Sequence, residues 1–253
     1  MKEQKRGQVA IFVIIAIVLV VSIALVFVLI QKPFGLFQGQ IDDPRQYIED
    51  CLKEDLEDSI KQVSMHGGYV VPQDFILFNN TKVSYLCYTD EDEALCINNE
   101  PMLGARIKLE IKKDISDKVE RCFEGLGDRL QDYEDEATDL SIDIESDKVV
   151  ARIKKRIRYT DKGNQMSVET FNIPVESPMF DFVRLTLDVI NQEVDCDCLK
   201  ETCNADVLKM ALMNSDFEVN RFVTGRNEEI YTIREVETGK NFRFAIRNCV
   251  RRI

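Results

Sequence analysis

The sequence predicts an α+β fold, in which one N-terminal transmembrane helix is followed by a mixed ectodomain with antiparallel β-hairpins and about four helices. Three observations predict this fold. The 253-residue chain begins with a dense apolar block. Beyond that block, three segments repeat apolar residues at the spacing of an amphipathic helix. Several other segments alternate apolar with polar residues, as half-buried strands do.

The apolar block spans residues 9–30, and Ser22 is its only polar residue. A helix of this length extends roughly 33 Å, which is enough to cross a hydrocarbon core of about 30 Å. We therefore predict a transmembrane helix at 9–30 that contacts membrane lipid and could also support a homo-oligomer. A cleaved secretory signal is the alternative. Such a signal has a shorter apolar core than this segment, and small residues precede its cut. This segment lacks those small residues.

The charges that flank the apolar block predict its orientation. Cations precede it and acidic residues follow it; these residues are Lys2, Lys5, Arg6, Asp42 and Asp43. This bias places the N-terminal side in the cytoplasm. We expect a single-pass protein of the cell membrane with a cytoplasmic N-terminus at 1–8, a linker at 31–42 and an extracellular domain at 43–253. Two subdomains, 43–136 and 137–253, are the alternative to one domain.

All eight cysteines follow the apolar block, as expected for a domain in an oxidising compartment. They are Cys51, Cys87, Cys96, Cys122, Cys196, Cys198, Cys203 and Cys249. A Cys87–Cys96 bridge would close an acidic loop, and a Cys51–Cys122 bridge would join two helices. The four C-terminal cysteines could instead bind a thiophilic metal, although they lack the paired knuckles of structural zinc sites. Free buried thiols are a third alternative.

The first half of the domain is predicted to contain two helices and a hairpin. Asp43 and Pro44 can begin the first helix, and Gly67 can end it. Its apolar face comprises Ile48, Leu52, Leu56, Ile60 and Val63. A hairpin turns at Asn79-Asn80-Thr81 between strands at 75–78 and 82–88. A second helix spans about 105–126, with Ile107, Ile111, Ile115, Val119, Phe123 and Leu126 on one face. The acidic residues 131–136 are predicted to form a loop.

The second half is predicted to begin with strands and to end with strands. Residues 140–144 alternate, and a turn at Lys162-Gly163-Asn164 leads to a strand at 168–175. A third helix follows Ser177 and Pro178, with Met179, Val183, Leu187, Ile190 and Val194 buried. A short fourth helix runs from Asn204 to about Met213. The final strands lie near 217–223, 229–236 and 241–250.

The segment around the start of the apolar block resembles a known processing site. Lys5-Arg6-Gly7-Gln8-Val9-Ala10-Ile11-Phe12 resembles the leader junction of archaeal type IV pilins and archaellins, a class III signal sequence. The resemblance implies cleavage between Gly7 and Gln8 and a pilin-like subunit whose helix packs against copies of itself. The family often has Glu at the fifth position after the cut, where this chain has Phe12.

Three short segments of the domain resemble a second group of proteins. Residues 47–54, 66–69 and 242–247 are similar to segments of uncharacterised archaeal single-pass surface proteins. That resemblance implies a membrane-tethered ectodomain, and it implies no activity.

A row of cations predicts one candidate binding surface. Arg152, Lys154, Arg156 and Arg158 share a face of a predicted strand, opposite Ala151, Ile153 and Ile157, while Lys155 breaks the apolar pattern. The row could bind an acidic surface glycan or a protein partner. The alternative is a charged strand face in water. Nucleic acid is excluded as a partner, because the net charge of −12 opposes the counterion displacement that binding requires.

Nothing in the sequence nominates a catalytic centre or a cofactor. The chain lacks GxGxxG, P-loop, GxSxG and HExxH motifs, and His66 is its single histidine. The acidic stretches 90–93 and 132–136 lack the glycine of a calcium loop. Asn79 begins a glycosylation sequon. We therefore expect a membrane-anchored extracytoplasmic protein with a structural or binding role and no enzymatic activity. A pilin-like subunit and an ectoenzyme with an acidic site are the alternatives.

Overall fold

The structure is a computed structural model that describes most of the domain and a short part of the apolar block. The described residues are 17–20, 41, 43–91, 93–195, 216–225 and 228–249. The chain divides into two compact units, Met1–Gln40 and Ile41–Ile253. In the described part of the chain, no helix has both the length and the apolar character needed to cross a membrane.

Several predictions fall on residues that lie outside the described part. Of the predicted transmembrane segment, only 17–20 are described, and they are helical. The processing junction at Gly7 and Gln8 lies outside the described residues, and so do the predicted fourth helix and the cysteines Cys196, Cys198 and Cys203.

Three described helices lie where the sequence predicts them. They are α1 (Pro44–Met65), α2 (Leu103–Gly127) and α3 (Met179–Val194). The Asp43 carboxylate caps α1 by accepting from the Arg45 amide at 2.8 Å. Gly67 and Gly68 end it with φ values of 72° and 93°, a region that glycine adopts without strain. Every apolar residue predicted to face the core from α1 and α2 is buried.

The ten described strands form two sheets. They are β1 (Phe75–Phe78), β2 (Thr81–Tyr88), β3 (Ile97–Asn98), β4 (Gln131–Asp135), β5 (Asp139–Ile144), β6 (Lys148–Asp161), β7 (Asn164–Glu176), β8 (Phe217–Val223), β9 (Glu229–Glu235) and β10 (Asn241–Arg247). The first sheet has the order β1-β2-β10-β9-β8, and β3 also pairs with β2. Its β2–β10 pair is parallel, and its other pairs are antiparallel.

The second sheet is built around the long strand β6. β7 pairs with β6 along one edge through an antiparallel hairpin. The turn between them places Lys162 and Gly163 at φ values of 49° and 82°, as a two-residue hairpin turn requires. β5 pairs with the first half of β6 and β4 with the second half, so these two strands share the other edge. All pairs in this sheet are antiparallel.

One hydrophobic core joins the three helices to both sheets. The faces of α1, α2 and α3 meet the inner faces of both sheets in a single cluster of buried side chains. This core continues across residue 136, where the two alternative subdomains would meet. The mixed α+β class predicted from the sequence is therefore present in the described part of the domain.

Two local predictions are wrong. Residues 131–135 form the edge strand β4 rather than a loop, because their carboxylates lie beside the cations of β6, as Glu134 does with Arg158. On α3, Val183, Leu187 and Val194 are only partly buried, while Phe182, Leu185 and Val189 lie fully in the core. The apolar residues of α3 cover more than one face, so spacing alone did not identify the innermost row.

Candidate functional site

The outer face of the first sheet has a small hydrophobic cluster of its own. We define the outer face by the buried residues Val83, Ile230 and Ala245, which form a cluster separate from the main core. Ile76, Phe78 and Tyr85 pack around them, and no residue of a described helix takes part. This face is therefore the one that the described helices leave uncovered.

Two phenylalanines from different strands meet on the outer face. Phe78 lies on β1 and Phe222 on β8, and these two strands do not pair with each other. β1 pairs with the first half of β2, Thr81–Ser84, and β10 pairs with its second half, Tyr85–Tyr88. The centroids of the two phenylalanine rings are 5.2 Å apart. Aromatic side chains from both strands thus meet beside the small cluster.

Arg243 lies on the outer face, on the central strand β10. Its guanidinium carbon is 5.0 Å from the ring centroid of Phe78, and its Nε donates to Thr232 Oγ1 at 3.3 Å. The side chain is half-buried, and this burial lowers the pKa of the guanidinium. Among the residues that the structure describes, no carboxylate forms an ion pair with Arg243. Arg243 is thus a partly desolvated cation that lacks an anionic partner in the described domain.

The other end of the outer face is occupied by internal contacts. The Tyr85 hydroxyl donates to Glu228 Oε1 at 2.8 Å, and burial raises the pKa of this phenol. The Arg247 guanidinium lies 5.6 Å from the Tyr88 ring centroid and donates to the Thr89 carbonyl. These side chains therefore already have hydrogen-bond or cation–π partners within the domain. The region around Arg243 is therefore the more open part of this face.

A buried acidic cluster lies on the opposite, core-facing side of the first sheet. The Tyr231 hydroxyl oxygen lies 2.7 Å from Glu193 Oε1 and 2.8 Å from Glu229 Oε2. One phenol carries one hydrogen and can donate it to only one of these carboxylates. The second contact is a hydrogen bond only if a carboxyl group donates to the phenol oxygen. Both contacts are hydrogen bonds only when one of the two glutamates carries a proton.

Glu193 and Glu229 have different surroundings in this cluster. Arg221 pairs with both carboxylate oxygens of Glu229, its Nε at 2.6 Å. Burial, followed by the charge of Glu229, raises the pKa of the Glu193 carboxyl. The same burial raises the pKa of Tyr231. Glu193 is therefore a carboxyl whose protonation is favoured by burial, and Tyr231 lies between it and the ion pair of Glu229 with Arg221.

Asn248 connects this cluster to two other elements. Its amide nitrogen donates to the backbone carbonyl of Glu193 at 2.8 Å, and its oxygen accepts from the Cys96 amide at 2.8 Å. The end of α3 is thereby fixed to the segment before β3. Because Tyr231, Glu193 and Glu229 are 0%, 4% and 7% exposed, the cluster offers no access to a substrate. Its chemistry is that of a closed structural network.

The described cysteines are all in disulfides. Cys51–Cys122 joins α1 to α2 with the Cα atoms 6.1 Å apart, and Cys87–Cys96 closes the acidic segment between β2 and β3. These are the two pairings that the sequence suggested. Cys249 is also disulfide-bonded, to a partner outside the described residues. Because Cys249 is in a disulfide, it has no thiolate with which to bind the metal of the alternative site. The described residues contain no cluster of three or more His, Cys, Asp or Glu side chains that could hold a metal ion.

The predicted cation row is exposed and largely paired. Arg152 donates to Asp143 at 2.7 Å and to Glu145 at 2.6 Å. Arg156 and Arg158 have carboxylate partners on the neighbouring strands and just after β4, namely Glu169, Glu134 and Glu136. Lys154 forms no ion pair with any residue that the structure describes. These carboxylates compete with a polyanion for the row, so polyanion binding there stays a prediction.

The remaining residues singled out in the sequence have local roles in the described domain. His66 ends α1, and its Nδ1 lies 3.0 Å from the Val70 carbonyl. Asn79 is exposed at the β1–β2 turn with a φ of 49°, so its side chain is accessible for glycosylation. Lys155 is buried on the inner face of β6, where its Nζ contacts Asp135 Oδ2 and Thr138 Oγ1, each at 3.0 Å.

A groove of about 940 Å³ lies beside α1 and is lined by balanced charges. Its charged lining comprises Glu49, Glu57, Asp147, Glu176, Lys53, Lys61, Lys148 and Lys240. Four acids and four lysines give the groove no preference for an anion or a cation. Arg243 on the outer face differs from this groove, because no carboxylate of the described residues forms an ion pair with it.

Sequence reasoning missed both Glu193 and Arg243. A signal existed for Glu193, because it follows Val189 and Ile190 at helical spacing and is thus a polar residue within an apolar stripe. For Arg243 no signal existed, since an arginine between Phe242 and Phe244 looks like any solvated position of an amphipathic strand. No family model, no curated protein and no solved structure matches this chain.

Proposed function

We propose that the chain is a membrane-anchored extracytoplasmic protein whose domain serves a binding role, with residues 9–30 as the anchor. The observation that carries this proposal is the disulfide bonding of every described cysteine. Disulfides persist in oxidising compartments and are rare in the cytosol of mesophiles. The position of the domain after the apolar segment and the cationic N-terminus supports the same orientation.

The outer face of the first sheet supports a binding role rather than a catalytic one. It combines an exposed aromatic side chain, Phe222, with the guanidinium of Arg243, which forms no ion pair with a described residue. The cluster around Tyr231, in which burial raises the pKa of Tyr231 and of Glu193, is closed to solvent. A surface glycan or a protein partner therefore fits this domain better than a buried substrate does.

Accessibility of the domain on whole cells tests the proposal. A C-terminal epitope tag lets cleavage be followed when intact cells are treated with a protease that cannot cross the membrane. We expect digestion of the domain on intact cells, with a tagged cytosolic protein as the protected control. Protection of the domain until the cells are lysed would contradict the proposal.

A pilin-like subunit is the second candidate, favoured by the junction from Lys5 to Phe12. In that case the segment 1–7 would be removed, and the new N-terminal helix would pack against copies of itself. Intact mass of the protein purified from its native membrane tests this alternative. Loss of residues 1–7 together with filaments in electron micrographs would support it, whereas the uncut chain would argue against it.

A further inference from the structure

We propose that the outer face of the first sheet binds an acidic sugar, whose carboxylate pairs with Arg243 and whose ring packs on Phe78 and Phe222. This inference rests on the proposed binding role and names the chemical class of the ligand. It also moves the candidate anion site from the predicted cation row on the second sheet to a single arginine on the first.

The guanidinium of Arg243 has N–H donors that no described residue uses. Its Nε is used by Thr232, and the two terminal nitrogens have no acceptor among the described residues. Two parallel N–H groups on a planar fork match the two oxygens of a carboxylate. Because the side chain is half-buried, an anion that pairs with it meets less solvent screening than it would on an open surface. The free edge of Arg243 is therefore suited to a carboxylate.

The two phenylalanines provide an apolar platform beside this fork. Phe78 lies under the guanidinium, and Phe222 of β8 contacts Phe78 while remaining 52% exposed. Most binding sites for small ligands combine such apolar side chains with a few polar groups that fix orientation. The C–H face of a sugar ring is apolar and can pack on an exposed aromatic ring, with its hydroxyls at the edge.

Polar side chains lie next to Arg243 on the neighbouring strand β9 and on the strand beyond it, β8. The strand register places Thr232 of β9 opposite Arg243, and Asn220 of β8 opposite Thr232. Asn220 is exposed, and its amide both donates and accepts hydrogen bonds. Sugar hydroxyls need both kinds of partner. The row from Phe78 to Asn220 therefore presents an aromatic surface, a cation and a neutral polar group in sequence.

The charge of the chain restricts the class of ligand. One unpaired arginine on a protein with a net charge of −12 cannot offset the repulsion of a densely charged polyanion such as nucleic acid. An oligosaccharide with isolated carboxylates avoids that repulsion. An acidic peptide is the competing ligand, but it would make little use of the aromatic platform. We therefore favour a sugar whose carboxylates are separated from one another by neutral residues.

Titration calorimetry with defined oligosaccharides tests the inference. The full-length protein is prepared in phosphatidylcholine nanodiscs as an Asn79→Gln variant, so that a glycan of its own cannot occupy the face. The probes are a tetrasaccharide with alternating glucuronic acid, its carboxyl-reduced neutral form, a sulfated derivative of that reduced form and a glutamate-rich peptide. We expect the glucuronate probe to bind at least tenfold tighter than each of the other three.

Variants then assign the site. Arg243→Gln and Phe222→Ala should each weaken glucuronate binding about tenfold or more. The matched control Arg158→Gln lies on the exposed face of the second sheet and should leave binding unchanged. Arg243→Lys keeps the charge but loses the fork, so we expect it to bind less tightly than the wild type. Thermal unfolding of each variant confirms that it is folded.

Several results would overturn the inference. Absence of glucuronate binding at about 5 mM probe would do so, and so would equal binding of the neutral tetrasaccharide. Tighter binding of the acidic peptide would assign the face to a protein partner instead. A loss of binding in Arg158→Gln but not in Arg243→Gln would assign the binding site to the cation row on the second sheet. Protease access on intact cells is measured separately. Failure of the sugar to bind would therefore leave the test of the domain's proposed location unaffected.

Discussion

The hydroxyl oxygen of Tyr231 lies within hydrogen-bond distance of two buried carboxylates, 2.7 Å from Glu193 and 2.8 Å from Glu229. Because the phenol has a single hydrogen, one glutamate must be protonated for both contacts to be hydrogen bonds. Arg221 forms an ion pair with Glu229, whereas burial raises the pKa of Glu193 and so favours a proton on that carboxyl. This relationship gives the domain a specific dependence on pH.

The first prediction concerns the stability of the domain as a function of pH. Burial raises the pKa of Glu193 above its ordinary value of 4.5, so the folded state holds this proton more tightly than the unfolded state. Its stabilisation is complete below that ordinary value and is lost as the pH rises through the raised value. Urea unfolding across this range should show a falling free energy of unfolding, with a slope of at most about 1.4 kcal/mol per pH unit from this group.

Glu193→Gln should remove this component of the pH dependence. The Gln amide can donate to Tyr231 and accept from Asn248, as the neutral carboxyl does. Glu218→Gln, at an exposed position of β8, is the matched control and should keep the wild-type slope. An unchanged slope in Glu193→Gln would show that Glu193 does not hold the proton.

The second prediction concerns the phenol itself. Tyr231→Phe keeps the ring that stacks on Phe244 at a centroid distance of 5.4 Å and removes only the hydroxyl. Two buried carboxyl groups then lose a shared partner, so we expect a loss of about 1–3 kcal/mol in the free energy of unfolding at neutral pH. Tyr88→Phe, which alters a 36% exposed ring, should change it by less than about 0.5 kcal/mol. Equal effects of the two substitutions would rule out a special role for the cluster.

The third prediction compares the two resolved disulfides. Cys51–Cys122 closes a chain separation of 71 residues, and Cys87–Cys96 closes one of 9. The chain-entropy argument gives a stabilisation of about 4 kcal/mol for the long loop and about 3 kcal/mol for the short one. Paired Cys→Ala variants measured by urea unfolding should therefore rank in that order. The reverse order would mean that native-state contacts, rather than loop closure, dominate.

The fourth prediction uses two adjacent lysines on opposite faces of β6. Lys155 is 6% exposed and its Nζ has oxygen partners on Asp135, Thr138 and Glu120, whereas Lys154 points to solvent. The acids are partly exposed, so they can be hydrated again when the amine is removed. We expect Lys155→Met to lower the free energy of unfolding by about 1–2 kcal/mol. Lys154→Met should change it by less than about 0.5 kcal/mol, and comparable losses would refute the assignment of faces.

Much of the fold could be predicted because local patterns determine it. The apolar residues of α1 and α2 recur at helical spacing and are all buried, and positive φ values at Asn79 and Asn80 suit the predicted hairpin turn. β4 could not be predicted, because its acidic residues have low strand propensity. Its pairing depends on cations that follow 20 or more residues later in the chain.

The candidate site could not be predicted, because it depends on contacts between distant parts of the chain. The pairing of β2 with both β1 and β10 brings Arg243 near Phe78, and the pairing of β10 with β9 and of β9 with β8 brings Phe222 to the same ring. No local pattern encodes either event. The cation row was predicted because it is local, but its carboxylate partners come from three other strands.

The central claim is that the domain lies in an oxidising compartment outside the membrane. Peptide mapping by mass spectrometry, on protein alkylated during extraction from its native membrane and digested without reduction, tests it most directly. We predict linked peptides for Cys51–Cys122 and Cys87–Cys96, and a third link from Cys249 to one of Cys196, Cys198 and Cys203. Recovery of all eight cysteines as alkylated free thiols would contradict the account.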